Sequence, residues 1–110
     1  MEIKTREVII SNIAIESLEK IYEYGIETFA YNAATIFIDE LSSRIYKLSE
    51  EYFVHSECSF LPTKTHIYRN IIHGNYLIIY RITPKRIEVL NALHGSRKPT
   101  TIKASKKNII

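Results

Sequence analysis

The short β-branched run EVIIS opens the ordered pattern of the chain and predicts a strand over Arg6–Ser11. From Ser11 the rhythm lengthens to steps of three and four. Ala14, Leu18, Ile21, Tyr22, Gly25 and Phe29 fall on one helical face, with Glu16, Glu19, Lys20, Glu23 and Glu27 between them, so an amphipathic helix capped by Ser11 is expected to end near Phe29. Ala34, Phe37, Ile38, Leu41, Ile45, Leu48 and Tyr52 repeat that spacing and predict a second helix from about Asn32. So short a connection folds the two helices back as an antiparallel hairpin whose apolar stripes need another surface to cover them. Residues 53–65, FVHSECSFLPTKT, keep neither rhythm and read as a loop. HIYRNII, YLIIYRI and RIEVLNAL follow, divided by HGN and TPK. Gly74 with Asn75, and then Pro84, supply the backbone angles of tight turns, so these runs read as an antiparallel meander. Tyr76–Ile82 is apolar on both faces apart from Arg81, which suits a central strand with helices on one side and a partial cover on the other. The predicted class is α+β: an N-terminal strand, an antiparallel helical hairpin and a three-stranded antiparallel meander in two layers.

At 110 residues and 12.8 kDa there is room for one core, assigned to residues 1–99, with 100–110 left as a flexible basic tail. A hydrophobic fraction of 45% with three Gly and three Pro excludes disordered and collagen-like classes. Cys58 is the single cysteine and has no partner for a disulfide within its chain. Without an apolar run of membrane-spanning length, and with a start, MEIKTREVIISN, unlike a signal peptide, the expected location is the cytoplasm and no membrane partner is expected.

Charge changes the picture more than composition does. Up to Glu57 there are 5 basic and 11 acidic residues, and beyond it 10 basic and 1 acidic, which leaves the halves at −6 and +9. One region should therefore repel polyanions while the other attracts nucleic acid or an acidic protein chain. The same asymmetry also follows if acids decorate solvated helix faces and cations guard strand edges.

The stretch YRNIIHGNYLIIYRITPKRIEVLNALHGSRKP resembles the C-terminal signature of the RelE/ParE toxin superfamily, the toxins of type II toxin–antitoxin systems. Tyr76, Ile78, Tyr80 and Arg81 match its middle element, and Leu93, His94, Gly95 and Arg97 its closing one. Ser11, Ala14, Leu18, Ile21, Tyr24, Ala34, Phe37 and Leu41 fit its spacing across the helical hairpin. Two departures stand out. EEYFVHSECSF replaces a segment that often carries Pro and Gly, and Ala30 occupies a hairpin corner that is commonly Gly.

The resemblance implies two chemistries. RelE-like members are ribosome-dependent mRNA endonucleases that need basic groups around the scissile phosphate and an acid or base for the 2′-hydroxyl. Of their basic positions only Arg69 is basic here, since Ile71 and Leu77 occupy the other two, and His94 with Arg97 would complete the set. ParE-like members lack that set and are associated with poisoning DNA gyrase, so the losses at Ile71 and Leu77 favour this branch. It implies a cognate, ParD-like antitoxin as partner, with an acidic amphipathic segment laid across a basic apolar surface, and gyrase as target. A degenerate member that only binds its antitoxin is a third expectation.

Tyr68, Arg69, Tyr80 and Arg81 lie on adjacent predicted strands and, with Lys85 and Arg86, form the candidate surface for a partner or nucleic acid. His94, Arg97 and Lys98 extend it beyond the last strand. Each has a plainer alternative: Arg69 and Arg81 paired with Glu88 or helix acids, and His94 capping its strand. Tyr22, Phe29, Phe37 and Tyr52 read as core. His55, His66, His73 and Cys58 keep no metal-ligand spacing, so neither metal nor cofactor is expected.

Overall fold

The computed structural model describes residues 4–108 and 110. Its elements are β1 (Glu7–Ile10), α1 (Asn12–Phe29), α2 (Tyr31–Tyr46), α3 (Leu48–Glu51), β2 (Tyr68–His73), β3 (Tyr76–Ile82), β4 (Arg86–His94) and α4 (Pro99–Lys103), followed by a 3-10 turn at Ala104–Lys107. One four-stranded sheet runs β1-β4-β3-β2. The meander is antiparallel, and β1 pairs with β4 in parallel, Glu7 opposite Arg86. The expected α+β architecture is therefore present, with α1 and α2 across one face of the sheet.

Ser11 joins strand to helix. Its hydroxyl oxygen accepts the Ala14 N–H at 3.0 Å, which satisfies one of the open donors at the start of α1, and its hydroxyl proton goes to the Leu90 carbonyl at 2.8 Å. That carbonyl is free for a reason. Between Ile79/Asn91 and Tyr80/Val89 the β3–β4 register shifts by one residue, leaving Leu90 as the extra residue of a bulge.

The second helix is shorter than the periodicity predicts. It ends at Tyr46, and after Lys47 the chain restarts as α3, where the Ser49 carbonyl accepts the Arg6 N–H at 2.9 Å. Apolar spacing continues through Leu48 and Tyr52 because α3 faces the same core, so the pattern alone does not register the break.

Between α1 and α2 lies a single residue, Ala30, at φ 88° and ψ 160°. An L side chain there is strained by about 1–3 kcal/mol, whereas glycine adopts this region freely. Ala30→Gly is therefore expected to stabilise the fold by about 1 kcal/mol after the extra entropy of an unfolded glycine is subtracted, raising Tm by about 4–6 °C in a thermal melt. A lower Tm would mean that the alanine carries no strain. At the β2–β3 turn, Gly74 has φ 58° as expected, and a Cβ on it would meet the Phe37 ring at 3.2 Å.

Two cores share the sheet. Leu41, Ile45, Leu48, Ile71, Ile78, Tyr80, Ile87 and Val89 pack between sheet and helices. On the far face, Ile79, Leu90 and Leu93 are covered by Cys58 and Leu61 from the loop and by Ile102 from the tail. The predicted loop is more ordered than its lack of rhythm suggests. The Cys58 N–H donates to Tyr68 O at 2.9 Å and the Asn70 N–H to Ser56 O at 3.2 Å, which closes part of the β2 edge. The tail, expected to be flexible, is docked instead. Ile102 is 0% exposed, and the Asn108 side-chain amide donates to the bulge carbonyl of Leu90 at 2.9 Å.

Candidate functional site

The C-terminal half of α1 and the start of α2 enclose a cleft of about 600 Å³ with the β2–β3 turn and the end of β4. Its lining is apolar and aromatic, with Ile21, Tyr24, Phe29, Phe37, Tyr76 and His94 as the largest members. Tyr76 stands edge-on to His94 at 5.4 Å and to Phe37 at 5.9 Å, and Phe37 contacts the His73 ring at 4.8 Å. These rings fix one another, so the floor is preformed. Tyr24 and Phe29 are 56% and 66% exposed at its mouth. Phe29 thus departs from its expected place in the core and stands at the cleft instead. An apolar surface of this kind marks a place for a partner side chain or ligand.

His94 ends β4 at this cleft. Its Nδ1 accepts the Ser96 N–H at 3.1 Å and the Ser96 hydroxyl at 2.6 Å, which places the proton of the neutral ring on Nε2. The strand-capping role is therefore realised, with the ring also serving as cleft wall. Burial, followed by the neighbouring Tyr24, raises the pKa of Tyr76, so its hydroxyl stays protonated. Burial and then the charge of Arg44 lower that of His73, whose Nδ1 accepts from the Arg44 guanidinium at 3.1 Å.

The other candidate residues are dispersed. Tyr80 is 0% exposed and its hydroxyl donates to Tyr52 O at 2.8 Å, so it is a core residue and not a contact residue. Arg69 spends its guanidinium on the backbone: Nη1 donates to His55 O at 2.8 Å and Phe53 O at 3.1 Å, and Nε to His66 O at 3.2 Å. It fastens the loop to β2. Arg81 and Arg86 both bind the buried Glu88 carboxylate, Arg86 Nε at 2.8 Å, and Arg81 lies over the Tyr68 ring at 6.0 Å. Lys85 is exposed at the β3–β4 turn, whereas Arg97 and Lys98 are exposed beyond His94 at the opposite end of β4. The expected single patch is thus two groups at opposite ends of one strand.

The ribonuclease set is divided the same way. Arg69 is opposite Tyr80, which is opposite Val89, whereas His94 is opposite Tyr76. Four residues along β3 and two strands across separate their backbones by about 16 Å. Among the described residues no group of histidines, cysteines and carboxylates could hold a metal ion.

Glu88 offers a pH test. Burial alone would raise its pKa, but hydrogen bonds and charge from Arg81 and Arg86 outweigh burial and hold it below the usual carboxylate range. A depressed folded pKa gives stability that is complete above the unfolded value, about 4.3, and is lost as pH falls through the folded one. Glu88→Gln should cost about 1–2 kcal/mol at neutral pH and nothing extra below both values, a difference readable from urea melts at a series of pH values. An equal cost at every pH would show that the charge contributes nothing.

Sequence reasoning did not anticipate the cleft. Tyr24 and Phe29 widen the apolar stripe of α1 past what a hairpin face needs, and that excess was the available signal. The family model of the ParE toxin of type II toxin–antitoxin systems, parDE, matches residues 8–99. A solved structure described as the chromosomal ParDE toxin–antitoxin system from P. aeruginosa is similar at a TM-score of 0.67 and 13% identity, over 83% of this chain and 97% of that one. No curated protein sequence matches. No helix among the described residues is long and apolar enough to cross a membrane.

Proposed function

This chain belongs to the ParE toxin family of type II toxin–antitoxin systems, and on that premise we propose that it arrests growth in the cytoplasm by poisoning DNA gyrase until a cognate antitoxin silences it. The observation that carries this reading is the contrast between the two kinds of surface. Arg69, His94 and Arg97 are spread along the sheet, with Arg69 Nη1 and Nε committed to backbone carbonyls, which is poor support for concerted phosphoryl chemistry. The preformed aromatic cleft supports protein docking instead. An amphipathic, ParD-like antitoxin segment lays its apolar anchors into it, and its acidic residues meet Arg97 and Lys98 just beyond His94.

The test is expression of the chain without its partner, following plasmid supercoiling and message integrity together. Gyrase poisoning predicts cleaved DNA and lost supercoiling while translated messages stay intact, with growth restored by co-expressed antitoxin. Messages cut during translation before supercoiling changes would replace this reading with the endonuclease. Normal growth of the producing cells would leave only antitoxin binding.

A further inference from the structure

The fold converts the charge split along the chain into a split between its faces. Glu16, Glu19, Glu23, Glu27, Asp39 and Glu40 all belong to α1 and α2, which cover one face of the sheet. The far face is covered by the loop and the tail, and the loop's carboxylate, Glu57, is engaged by the His66 ring. After Glu57 the sole acidic side chain is Glu88, and it is buried between Arg81 and Arg86. From Val89 to the C-terminus the chain has five basic residues and no acidic one. Lys103, Lys106 and Lys107 are exposed, and among the described residues no carboxylate lies within ion-pair reach of them.

Docking of the tail gives these lysines a place. Ile102 and Ser105 are buried against the sheet and Asn108 is tied to Leu90 O, so the outward side of the same segment presents Thr100, Thr101, Lys103, Ala104, Lys106 and Lys107. Two exposed threonine hydroxyls here precede three exposed lysines, with one small methyl, Ala104, among them. The one large apolar member, Ile102, is turned inward. An acidic amphipathic protein segment would need exposed apolar anchors between its charge contacts, and residues 100–107 present no large one. A sugar–phosphate backbone needs point cations and hydroxyl donors without apolar anchors.

We propose that the docked tail is a binding face for the phosphate backbone of duplex DNA, with Lys103, Lys106 and Lys107 as its principal contacts. The inference deepens the proposed function, since it puts the toxin in contact with the DNA that its target enzyme holds, and it rests on that reading only for this setting. Contact is to phosphate, so it is indifferent to base sequence and sensitive to salt.

Fluorescence anisotropy of the full chain with a short mixed-sequence duplex over a salt series tests it without gyrase present. Three phosphate contacts give a slope of log affinity against log salt near −2.7, or roughly a fortyfold loss between about 50 and about 200 mM salt. Replacing all three lysines by Gln (K103Q, K106Q, K107Q) should remove that slope, and replacing them by Arg should keep it. The Arg variants keep the test decisive even if the Gln variants fold poorly. Unchanged DNA binding in a folded Gln variant would overturn the proposal, as would equally tight binding of polyglutamate, which would assign the face to acidic protein. Supercoiling assays run in parallel separate the two readings: DNA binding with unaffected gyrase overturns the gyrase target alone, and poisoned gyrase with no DNA binding overturns this face alone.

Discussion

Ile102→Ala is expected to lower the stability of the whole domain by about 3 kcal/mol, which for a chain of this length moves Tm down by roughly 10–15 °C. The side chain is fully buried against Leu90, Ile79 and Leu93, beside Cys58 and Leu61 from the loop. Removing three carbons leaves a cavity that the sheet cannot close, because β3 and β4 are held by their ladder. The tail can respond by peeling off, which caps the loss at the free energy of docking. Even then Leu90 and Leu93 become wet. A frayed tail would give a change within about 0.5 kcal/mol, the range of ordinary surface substitutions. Chemical denaturation of wild type and variant separates the two outcomes.

The second large effect is on binding. Tyr24→Ala combined with Phe29→Ala should weaken the complex with the cognate antitoxin by about 2–4 kcal/mol, or some thirtyfold to a thousandfold in Kd. Both rings are more than half exposed at the cleft mouth, so their removal exposes no core and Tm should stay within a few degrees of wild type. Large exposed rings above a preformed aromatic floor are the kind of anchor that carries interface energy. In cells the variant should arrest growth at antitoxin levels that silence wild type. Calorimetric titration with the purified antitoxin measures the effect directly, and a Kd within about threefold of wild type would move the docking site elsewhere.

Much of this architecture is written in periodicity. Ser11 as cap, the paired stripes of α1 and α2, the turns at Gly74 and Pro84 and the two-faced β3 are local patterns, and local patterns survive folding when tertiary packing agrees with them. What stayed hidden is what depends on distant partners. Cys58 and Leu61 look like loop residues until β3 and β4 present an uncovered apolar face to them. For Arg69 and Arg81 the sequence leaves a contact surface and pairing with Glu88 or helix acids both open; folding gives Arg81 the Glu88 carboxylate, shared with Arg86, and gives Arg69 three backbone carbonyls that no pattern along the chain marks. Tyr80 alternates correctly for a strand, but the sequence does not say which side of the strand the helices cover. Phe29 keeps the helical step and still misses the core, standing exposed at the cleft.

The parallel pairing of β1 with β4 bears on how the molecule comes into existence. Ser11 and Leu90 bond across 79 positions, so β1 waits for nearly the entire polypeptide before its neighbour exists. Loop closure over that span makes such a contact slow to form, and meanwhile the hairpin has no sheet beneath it. On the ribosome, the first half emerges as an amphipathic pair with its oily side bare, and the finished shape arrives only when translation delivers β4 and the tail. A chain cut short before Arg86 consequently lacks the strand that β1 pairs with and leaves this sheet unfinished.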